Sequence, residues 1–407
     1  MKKLAVLLMG VSALLSAALP LMAQAVPTHI VHPPIRVASG PQDPFNPMGI
    51  LPAEFKAAYG FNRIPNQGQG QTIALVDAYD DPNIASDLAY YASYFHLTPC
   101  NFTKVKLGTV QGQGWDLEES LDVQQTCALA PQANIVLVEA ASADDTDLYA
   151  AVQVAVAPPY NATVVSMSWG EAEFNGEQNY DRYFCNILNG NGEPVTFVAA
   201  TGDSGHDTYY PSTSPCVVAA GGTTLALATG APLSNPLELN YGTETAWADG
   251  SGGVSCYGGI FPPCTQGGEP QPSWQNTACS PWTTQLRCVP DISADANPGV
   301  PVYDTYSYGG WVEIGGTSAP TPDWASFFTL VNSRRVLAGG TTLSQAAQDL
   351  YNIYYSADYS TDFHDITSGT NGNCGSQCTA GVGYDLVTGI GTYQANNLYA
   401  PLVADPH

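Results

Sequence analysis

Basic residues are scarce in this chain of 407 residues, which carries 11 Lys and Arg against 36 Asp and Glu and a formal net charge of −25. This deficit of cations excludes nucleic acid as a partner, because phosphate backbones are bound by clustered Lys and Arg. Charged residues of either sign make up only 12% of the chain and hydrophobic residues 44%, which excludes a largely disordered protein. The sequence therefore describes an acidic, folded protein.

The acidic composition fits two kinds of protein. An exported protein that works in acid needs few basic groups, since its carboxylates become protonated there and their repulsion fades. A secreted protein that is merely acidic and works at neutral pH would have the same composition. Composition alone leaves both open.

Long apolar runs are missing after the first 25 residues, so no membrane span is expected in the mature chain. At the N-terminus, Lys2 and Lys3 precede the apolar stretch 4–21, and Ala23-Gln24-Ala25 matches a small-x-small cleavage site. This pattern predicts a signal peptide over residues 1–25 and a secreted protein, with a short basic start typical of bacterial export.

The rest of the chain divides into two parts. Residues 26–43 are rich in proline and carry no hydrophobic pattern, which predicts a linker. Residues 44–407 are expected to form one large domain, although length alone would also fit two.

Ten cysteines in an exported chain predict disulfides, because the number is even and the destination is oxidising. Three pairs are close enough in sequence to close local loops, namely Cys256 with Cys264, Cys279 with Cys288, and Cys374 with Cys378. The full connectivity stays open at this point. The spacings do not match zinc sites, and export argues against a reduced four-cysteine cluster.

Buried-strand and helix patterns alternate through the first half of the domain. Apolar strands are predicted at 72–76, 134–138, 162–167 and 195–200, and helices at 84–94, 145–156 and 180–188. This alternation predicts an α/β fold with a central, mostly parallel sheet and helices on both faces. Ligand sites of such sheets lie beyond the carboxyl ends of the strands, where Asp77, Trp169 and Asp203 follow. Trp169 is expected to border a cleft.

A serine stands at a predicted helix start within Gly315-Gly316-Thr317-Ser318-Ala319-Pro320. Pro320 suits the first turn of a helix, so Ser318 would meet free backbone N–H groups and the positive end of the helix dipole. That position suits a nucleophile for acyl transfer if a base is near. It also suits a helix N-cap, a position that serine favours.

Carboxylates are better candidates than histidines for that base. None of the six histidines lies in a subtilisin-like His-Gly-Thr-His context. Glu118 and Asp122 are four residues apart in a predicted helix, so they share one face and can share a proton. At pH about 4 an imidazole is almost wholly protonated, whereas a glutamate is still partly ionised. Acidic pairs at this spacing also arise by chance on solvated helix faces.

Taken in order, these motifs resemble the sedolisins, or serine-carboxyl peptidases, which are acid relatives of subtilisin. The resemblance runs from about Pro44 to Leu402. The matching segments are Glu118 with Asp122, Thr201-Gly202-Asp203 with Tyr210-Pro211 and Gly221-Gly222-Thr223, Glu244 with Trp247 and Ser251-Gly252-Gly253, Arg287 with Pro290-Asp291, and Gly316-Thr317-Ser318. The resemblance implies a subtilisin-like fold and a serine-type peptidase.

The resemblance also implies catalytic roles. Ser318 would attack the peptide carbonyl, Glu118 would take its proton, and Asp122 would orient Glu118. Asp203 would face the developing oxyanion and must be protonated to donate a hydrogen bond there, with the Ser318 N–H as a second donor. Asp77 would either extend the carboxyl network or be structural.

A calcium site is implied in the C-terminal region. Asp365 and Asp385 would supply side-chain oxygens, and Ile366, Gly381 and Gly383 would supply backbone carbonyls. Oxygen ligands from a flexible loop suit Ca²⁺. Without the resemblance, the two aspartates would be ordinary turn residues.

We therefore expect a secreted acid endopeptidase that is a monomer, acts on protein or peptide substrates, and binds neither nucleic acid nor, after signal cleavage, a membrane. Two alternatives stay open, namely an exopeptidase of the tripeptidyl type and a catalytically silent, calcium-stabilised binding protein. Sedolisins usually carry a long N-terminal propeptide, but only about 20 residues separate Ala25 from the catalytic region here. The sequence leaves the control of latency open.

Overall fold

The structure is a computed structural model that describes residues 29–40, 47–228, 240–258, 264 and 267–406. The predicted signal peptide, residues 1–25, lies outside the described residues. Among those described, no helix combines the length and the apolar character needed to cross a membrane.

The described strands are β1 (Arg36–Ser39), β2 (Thr72–Ala78), β3 (Asn101–Lys106), β4 (Asn134–Ala140), β5 (Val164–Met167), β6 (Glu171–Ala172), β7 (Thr196–Ala200), β8 (Tyr209–Tyr210), β9 (Val218–Leu227), β10 (Tyr241–Ala246), β11 (Gly253–Val254), β12 (Cys288–Val289), β13 (Ile292–Asn297), β14 (Val300–Asp304), β15 (Gly310–Gly315), β16 (Phe363–His364) and β17 (Thr392–Tyr393). The described α-helices are α1 (Pro52–Tyr59), α2 (Ile84–Tyr94), α3 (Asp116–Leu129), α4 (Asp145–Val156), α5 (Asn276–Cys279), α6 (Pro320–Leu337), α7 (Ala346–Tyr354), α8 (Tyr359–Asp362) and α9 (Ala395–Ala404). Short 3₁₀ turns cover Phe61–Arg63, Glu177–Tyr183, Ser273–Gln275 and Gly375–Cys378.

An eight-stranded sheet forms the centre of the domain, in the order β10-β9-β7-β5-β2-β4-β3, with β13 also paired to β9. All of its pairings are parallel except that of β10 with β9. This arrangement confirms the predicted α/β fold with a mostly parallel sheet.

Side chains of the central strands alternate between two hydrophobic cores. In β2, Ile73 and Leu75 join the core that contains α6, whereas Ala74 and Val76 join the core that contains α4. Helices therefore cover both faces, as a buried parallel sheet requires.

The segment predicted as a linker contains a strand in its described part. Residues 36–39 form β1, which pairs antiparallel with β15, and β15 in turn pairs with β14. Backbone pairing needs no side-chain periodicity, which is why the pattern of this proline-rich segment did not predict it. We call residues 29–40 the strap.

One predicted helix, 180–188, is wrong. A 3₁₀ turn over Glu177–Tyr183 takes its place, and Asn186 adopts a positive φ of 56° that no helix tolerates. Cys185 is also tied by a disulfide to Cys216. The apolar residues of this stretch therefore pack from an irregular segment.

All ten cysteines lie in the described part of the chain, and each is paired. The three predicted local loops are present, closed by Cys256–Cys264, Cys279–Cys288 and Cys374–Cys378. Two further disulfides, Cys100–Cys127 and Cys185–Cys216, span longer loops. Sequence spacing does not favour those pairs over others.

Candidate active site

Ser318 lies in the turn between β15 and α6. The helix begins at Pro320 with Ala319 as its cap residue, and no side chain caps it. The Ser318 hydroxyl is fully buried and makes no hydrogen bond of standard geometry among the described residues. Its backbone N–H donates to the carbonyl oxygen of Pro34 at 3.2 Å. The structure therefore does not use Ser318 as an N-cap.

Helix α3 carries Glu118 and Asp122 beside α6. Both carboxyls are fully buried, unlike a chance pair on a solvated helix face. The Ser168 hydroxyl lies 2.8 and 2.9 Å from the two Asp122 oxygens and 3.4 Å from the Ser318 carbonyl oxygen. Ser168 thus joins the acidic helix to the serine turn.

Glu118 interacts with the Ser318 hydroxyl, but loosely. Burial and the neighbouring Asp77 raise the pKa of Glu118 well above its ordinary value, and hydrogen-bonding contact with Ser318 and Ser168 opposes that rise. Neither the Glu118 carboxyl nor the Ser318 hydroxyl completes a hydrogen bond of standard geometry. Nucleophile–base contacts are often long until substrate is bound.

Asp77, at the end of β2, belongs to the same buried carboxyl group. Burial, with Glu139 as a smaller cause, raises the pKa of Asp77 to about 8. Burial and then Asp77 also raise the pKa of Asp122 well above its ordinary value. Because these carboxyls crowd one another in a buried site, they hold protons that isolated carboxyls would release.

Asp203 lies three residues beyond β7 and is held by the serine turn. Both the backbone N–H and the hydroxyl of Thr317 donate to its Oδ1, each at 2.9 Å. Its Oδ2 is buried without a hydrogen bond. Burial raises the pKa of Asp203 to about 7, against the opposing pull of the Thr317 hydrogen bonds and of Arg36.

Gly316 is placed where only glycine fits. Its φ is +98°, and a Cβ atom there would lie 2.4 Å from the Pro34 oxygen and 2.6 Å from Asp203 Oδ2. The Gly-Thr-Ser motif thus brings the Ser318 N–H, the Asp203 carboxyl and the Pro34 carbonyl to one place.

Histidine takes no part in this group. None of the histidines in the described part of the chain hydrogen-bonds to Ser318, Glu118 or Asp122. The sequence argument against a histidine base is therefore consistent with the geometry.

Sequence reasoning missed two members of the site and misplaced a third residue. Ser168 follows β5, and the rule that ligand sites lie beyond the carboxyl ends of parallel strands could have indicated it. Thr317 lies within the Gly-Thr-Ser motif, but no role was predicted for it. Trp169 does not border the cleft, because it is fully buried and its indole N–H donates to the Val76 carbonyl at 2.7 Å. Its neighbour Gly170 borders the cleft instead.

The strap runs through the cleft in an extended conformation. The Val31 N–H donates to the Ala143 carbonyl at 2.9 Å, and His32 and Gly170 exchange two hydrogen bonds of 3.2 Å. Val31 is buried, and the Pro34 carbonyl reaches Ser318 as described above. A cavity of about 450 Å³ lies beside Pro34. Its wall includes Gly170–Ala172, Gly202–Ser204 and Tyr209.

The implied calcium ligands come from two segments that hydrogen bonds bring together, the one after β16 and the loop at 381–385. The Asp365 carboxylate accepts from the Gly383 N–H at 3.1 and 3.0 Å, and Asp385 Oδ2 accepts from the Gly381 N–H at 2.8 Å. No hydrogen bond of the described residues ends on the carbonyl oxygens of Ile366, Gly381 or Gly383. The donor set is thus all oxygen, with three carbonyls left over, and it fits Ca²⁺.

Within the part of the chain that the structure describes, one other cluster has metal-ligand chemistry, formed by His206, Cys374 and Cys378. Both cysteines are joined in a disulfide, so neither can act as a thiolate ligand.

The sequence matches the subtilase family over residues 120–352. Sedolisin from Pseudomonas sp. (strain 101) is 29% identical over 384 residues, covering 86% of this chain and 61% of that protein. Kumamolisin from Bacillus sp. (strain MN-32) is 31% identical over 378 residues, covering 85% of this chain and 62% of that protein. The chain spans about three fifths of the length of these two curated relatives.

The fold comparison agrees. A solved structure of Pseudomonas sedolisin, a serine-carboxyl proteinase complexed with two molecules of pseudo-iodotyrostatin, superposes with a TM-score of 0.69 at 25% identity, covering 89% of this chain and 100% of that chain. Tripeptidyl-peptidases are also among the relatives, such as sed4 of Aspergillus fumigatus at 24% identity over 80% of this chain and 62% of that protein. The chain therefore belongs to the subtilase family, and it is similar to sedolisin and kumamolisin in sequence and to Pseudomonas sedolisin in fold.

Proposed function

We propose that this chain is a secreted serine-carboxyl endopeptidase that works in acid, with Ser318 as nucleophile, Glu118 as general base, Asp122 as its orienting partner and Asp203 in the oxyanion hole. The observation that carries this proposal is the position of the Pro34 carbonyl, which accepts the Ser318 N–H as the carbonyl of a bound substrate would. A peptide carbonyl at that position lies beside the buried nucleophile and its carboxyl partners.

In acylation, the Ser318 oxygen attacks the substrate carbonyl carbon while its proton passes to Glu118. This step needs the ionised form of Glu118, whose fraction in acid is reduced because burial raises its pKa. Glu118 then gives that proton to the leaving amine as the C–N bond breaks. Water repeats the sequence on the acyl-enzyme, transferring a proton to Glu118 and releasing the acid product with Ser318 restored. Asp122, which contacts the Ser168 hydroxyl, and Asp77 hold the other protons that the buried carboxyls beside Glu118 share.

Asp203 stabilises the oxyanion only when it is neutral. Its Oδ1 is occupied by Thr317, so the proton belongs on Oδ2, which has no hydrogen bond. A neutral carboxyl donates a hydrogen bond to the oxyanion, whereas a carboxylate would repel it. Because the pKa of Asp203 is raised to about 7, the neutral form dominates throughout the acid range.

The strap favours an endopeptidase over a tripeptidyl peptidase. Counting back from Pro34, the third residue is His32, and the chain continues through Val31 to His29 while remaining hydrogen-bonded to Ala143 and Asp145. A tripeptidyl peptidase must hold a free amino terminus at the third residue. The cleft instead accommodates a chain that continues past that point.

We also propose a structural calcium ion bound by Asp365, Asp385 and the carbonyls of Ile366, Gly381 and Gly383. The ion would neutralise two carboxylates and tie the 381–388 loop to the segment after β16. It has no place in the catalytic steps. Secretion, supported by the N-terminal signal pattern, agrees with the paired cysteines.

The experiment is hydrolysis of casein and of an internally quenched peptide at pH about 4, comparing the wild type with Ser318→Ala after calcium loading. The proposal expects hydrolysis by the wild type alone, with cleavage inside the peptide rather than three residues from its amino terminus. Hydrolysis by neither protein, or at equal rates by both, would overturn the peptidase. Successive release of tripeptides would identify an exopeptidase.

A further inference from the structure

Arg36 of the strap contacts the residue that the oxyanion hole depends on. Its Nη2 donates to the backbone carbonyl of Asp203 at 2.7 Å, and its Nε lies 3.7 Å from Asp203 Oδ2. A third contact, at 3.8 Å, joins Nη2 to Asp249 Oδ2. Half of the Arg36 side chain is exposed, whereas the Asp203 carboxyl is 9% exposed. The ion pair therefore lies where the strap crosses the cleft.

The strap is fixed on both sides of Arg36 by backbone hydrogen bonds, and its N-terminal end also has a contact that can carry charge. Val31 and His32 are paired with Ala143 and Gly170, and β1 is paired with β15. Pro33 and Pro34 lack N–H donors and hold the chain extended between these pairings. At the N-terminal end, the His29 ring pairs with Glu171 at 2.9 Å.

The Asp203 carboxyl faces groups from several elements. They are Arg36 from the strap, Thr317 from the turn before α6, Glu118 from α3, Asp249 and Tyr209. Of these groups, Arg36 alone is a cation. When Asp203 gains a proton, the attraction to Arg36 at Oδ2 is lost, while the hydrogen bond to the Asp203 carbonyl is kept.

We propose that Arg36 is a latch that holds the strap in the cleft while Asp203 is ionised and loosens it when Asp203 takes up the proton that the oxyanion hole needs. Protonation of Asp203 would then both prepare the oxyanion hole and loosen the strap that covers the cleft. The inference rests on the proposed role of Asp203. The raised pKa of Asp203, about 7, places the transition between neutral and acid conditions.

The test is amide hydrogen exchange of the full chain carrying Ser318→Ala, followed by mass spectrometry at pH about 8 and about 4, with rates corrected for intrinsic exchange. Protection of strap amides, among them Val31 and His32, should fall about two- to fivefold at the lower pH, the range of one partly exposed ion pair. Protection within α2 serves as the internal reference for global changes.

Three variants in the same Ser318→Ala chain decide the cause. Asp203→Asn, which is always neutral, and Arg36→Gln should each show the low protection at both pH values. Arg36→Lys keeps the charge and should restore part of the pH dependence. Asp249→Asn is the matched control, because Asp249 is the other acid near Arg36, and it should keep the full pH dependence.

Equal strap protection at both pH values in the parent chain would overturn the latch, as would full pH dependence in Asp203→Asn. Because exchange is measured on a chain without the nucleophile, the result is separate from peptidase activity. If the wild type cleaves peptides but strap protection does not depend on pH, the latch alone is refuted. If strap protection depends on pH but the wild type cleaves no peptide, the latch stands and the proposed function is refuted.

Discussion

Thr317 donates two hydrogen bonds to a single oxygen of Asp203, one from its backbone N–H and one from its hydroxyl, each at 2.9 Å. The same hydroxyl accepts the Gly202 N–H at 3.0 Å. One carboxyl oxygen of Asp203 is thereby fixed, and the other stays available for a proton. These hydrogen bonds connect the Gly-Thr-Ser motif, which carries the nucleophile, with the loop that contains Gly202 and Asp203.

Thr317→Val should therefore change both the rate and its pH dependence. Losing the hydroxyl loosens Asp203, and kcat should fall about tenfold with little change in KM. The hydrogen bond lowers the pKa of Asp203, so its loss should move the decline of activity on the neutral side to higher pH. Steady-state kinetics at several pH values measure both effects. Thr321→Val is the control, because the Thr321 hydroxyl donates to the Thr317 carbonyl instead.

Glu118→Gln should abolish acylation at low pH, because an amide cannot accept the Ser318 proton. A loss in kcat of about 10³-fold or more is expected, measured as the burst of product in a single turnover. Glu119→Gln is the matched control, since Glu119 is equally buried but accepts from the Asp81 N–H. Similar losses in both variants would point to disruption of α3 rather than to a base.

Calcium removal should lower the melting temperature. The proposed ion would bind only the folded loop, so chelation should reduce Tm by several degrees, and added calcium should restore it. Asp365→Asn should reduce the response to calcium while leaving the fold intact. Differential scanning calorimetry of the Ser318→Ala chain measures this without autolysis. If Tm changes neither with chelator nor with added calcium, the proposed calcium site is wrong.

A second buried acidic cluster, away from the catalytic group, should make stability fall as pH rises. Burial and the neighbouring Glu173 raise the pKa of Glu177 to about 11, and burial and Asp181 raise that of Glu269 to about 9. The folded state therefore binds more protons than the unfolded state between pH about 4.5 and about 9, and stability decreases across that interval.

Glu177→Gln keeps the neutral form at every pH. We expect its Tm to exceed that of the parent by a few degrees at pH about 8 and to match it at pH about 4. Glu193 lies outside the cluster and its carboxylate accepts a hydrogen bond from Asn189, so Glu193→Gln should show no such pH-dependent difference in Tm. A parallel pH dependence of Tm in parent and Glu177→Gln would refute the interpretation.

The sequence predicted the regular core well, because its signals are strong there. Helices 84–94 and 145–156 have the predicted bounds, and the four predicted strands are present with shifts of one or two residues at their ends. The predicted helix 180–188 failed because the Cys185–Cys216 disulfide and the positive φ of Asn186 decide that segment. Neither is visible in apolar periodicity.

The sequence could predict those residues of the candidate site that lie within recognisable motifs. Glu118, Asp122, Asp203 and Ser318 were identified from their order along the chain, but their catalytic roles stay predictions. The strap could not have been predicted, since its contacts use backbone groups of Val31, His32 and Pro34 that any residue offers. Ser168 follows a strand and Thr317 lies within the serine motif, but the sequence has no pattern that shows which carboxyl each of them contacts.

The most direct test of the central claim is the pH dependence of kcat/KM for an internally quenched peptide between pH about 3 and about 9. A carboxyl base with a neutral Asp203 predicts activity in acid that declines as pH rises through about 7, the pKa of Asp203. Activity that instead increases through neutral pH to a plateau at about pH 8 or 9, as with a histidine base, would contradict the account.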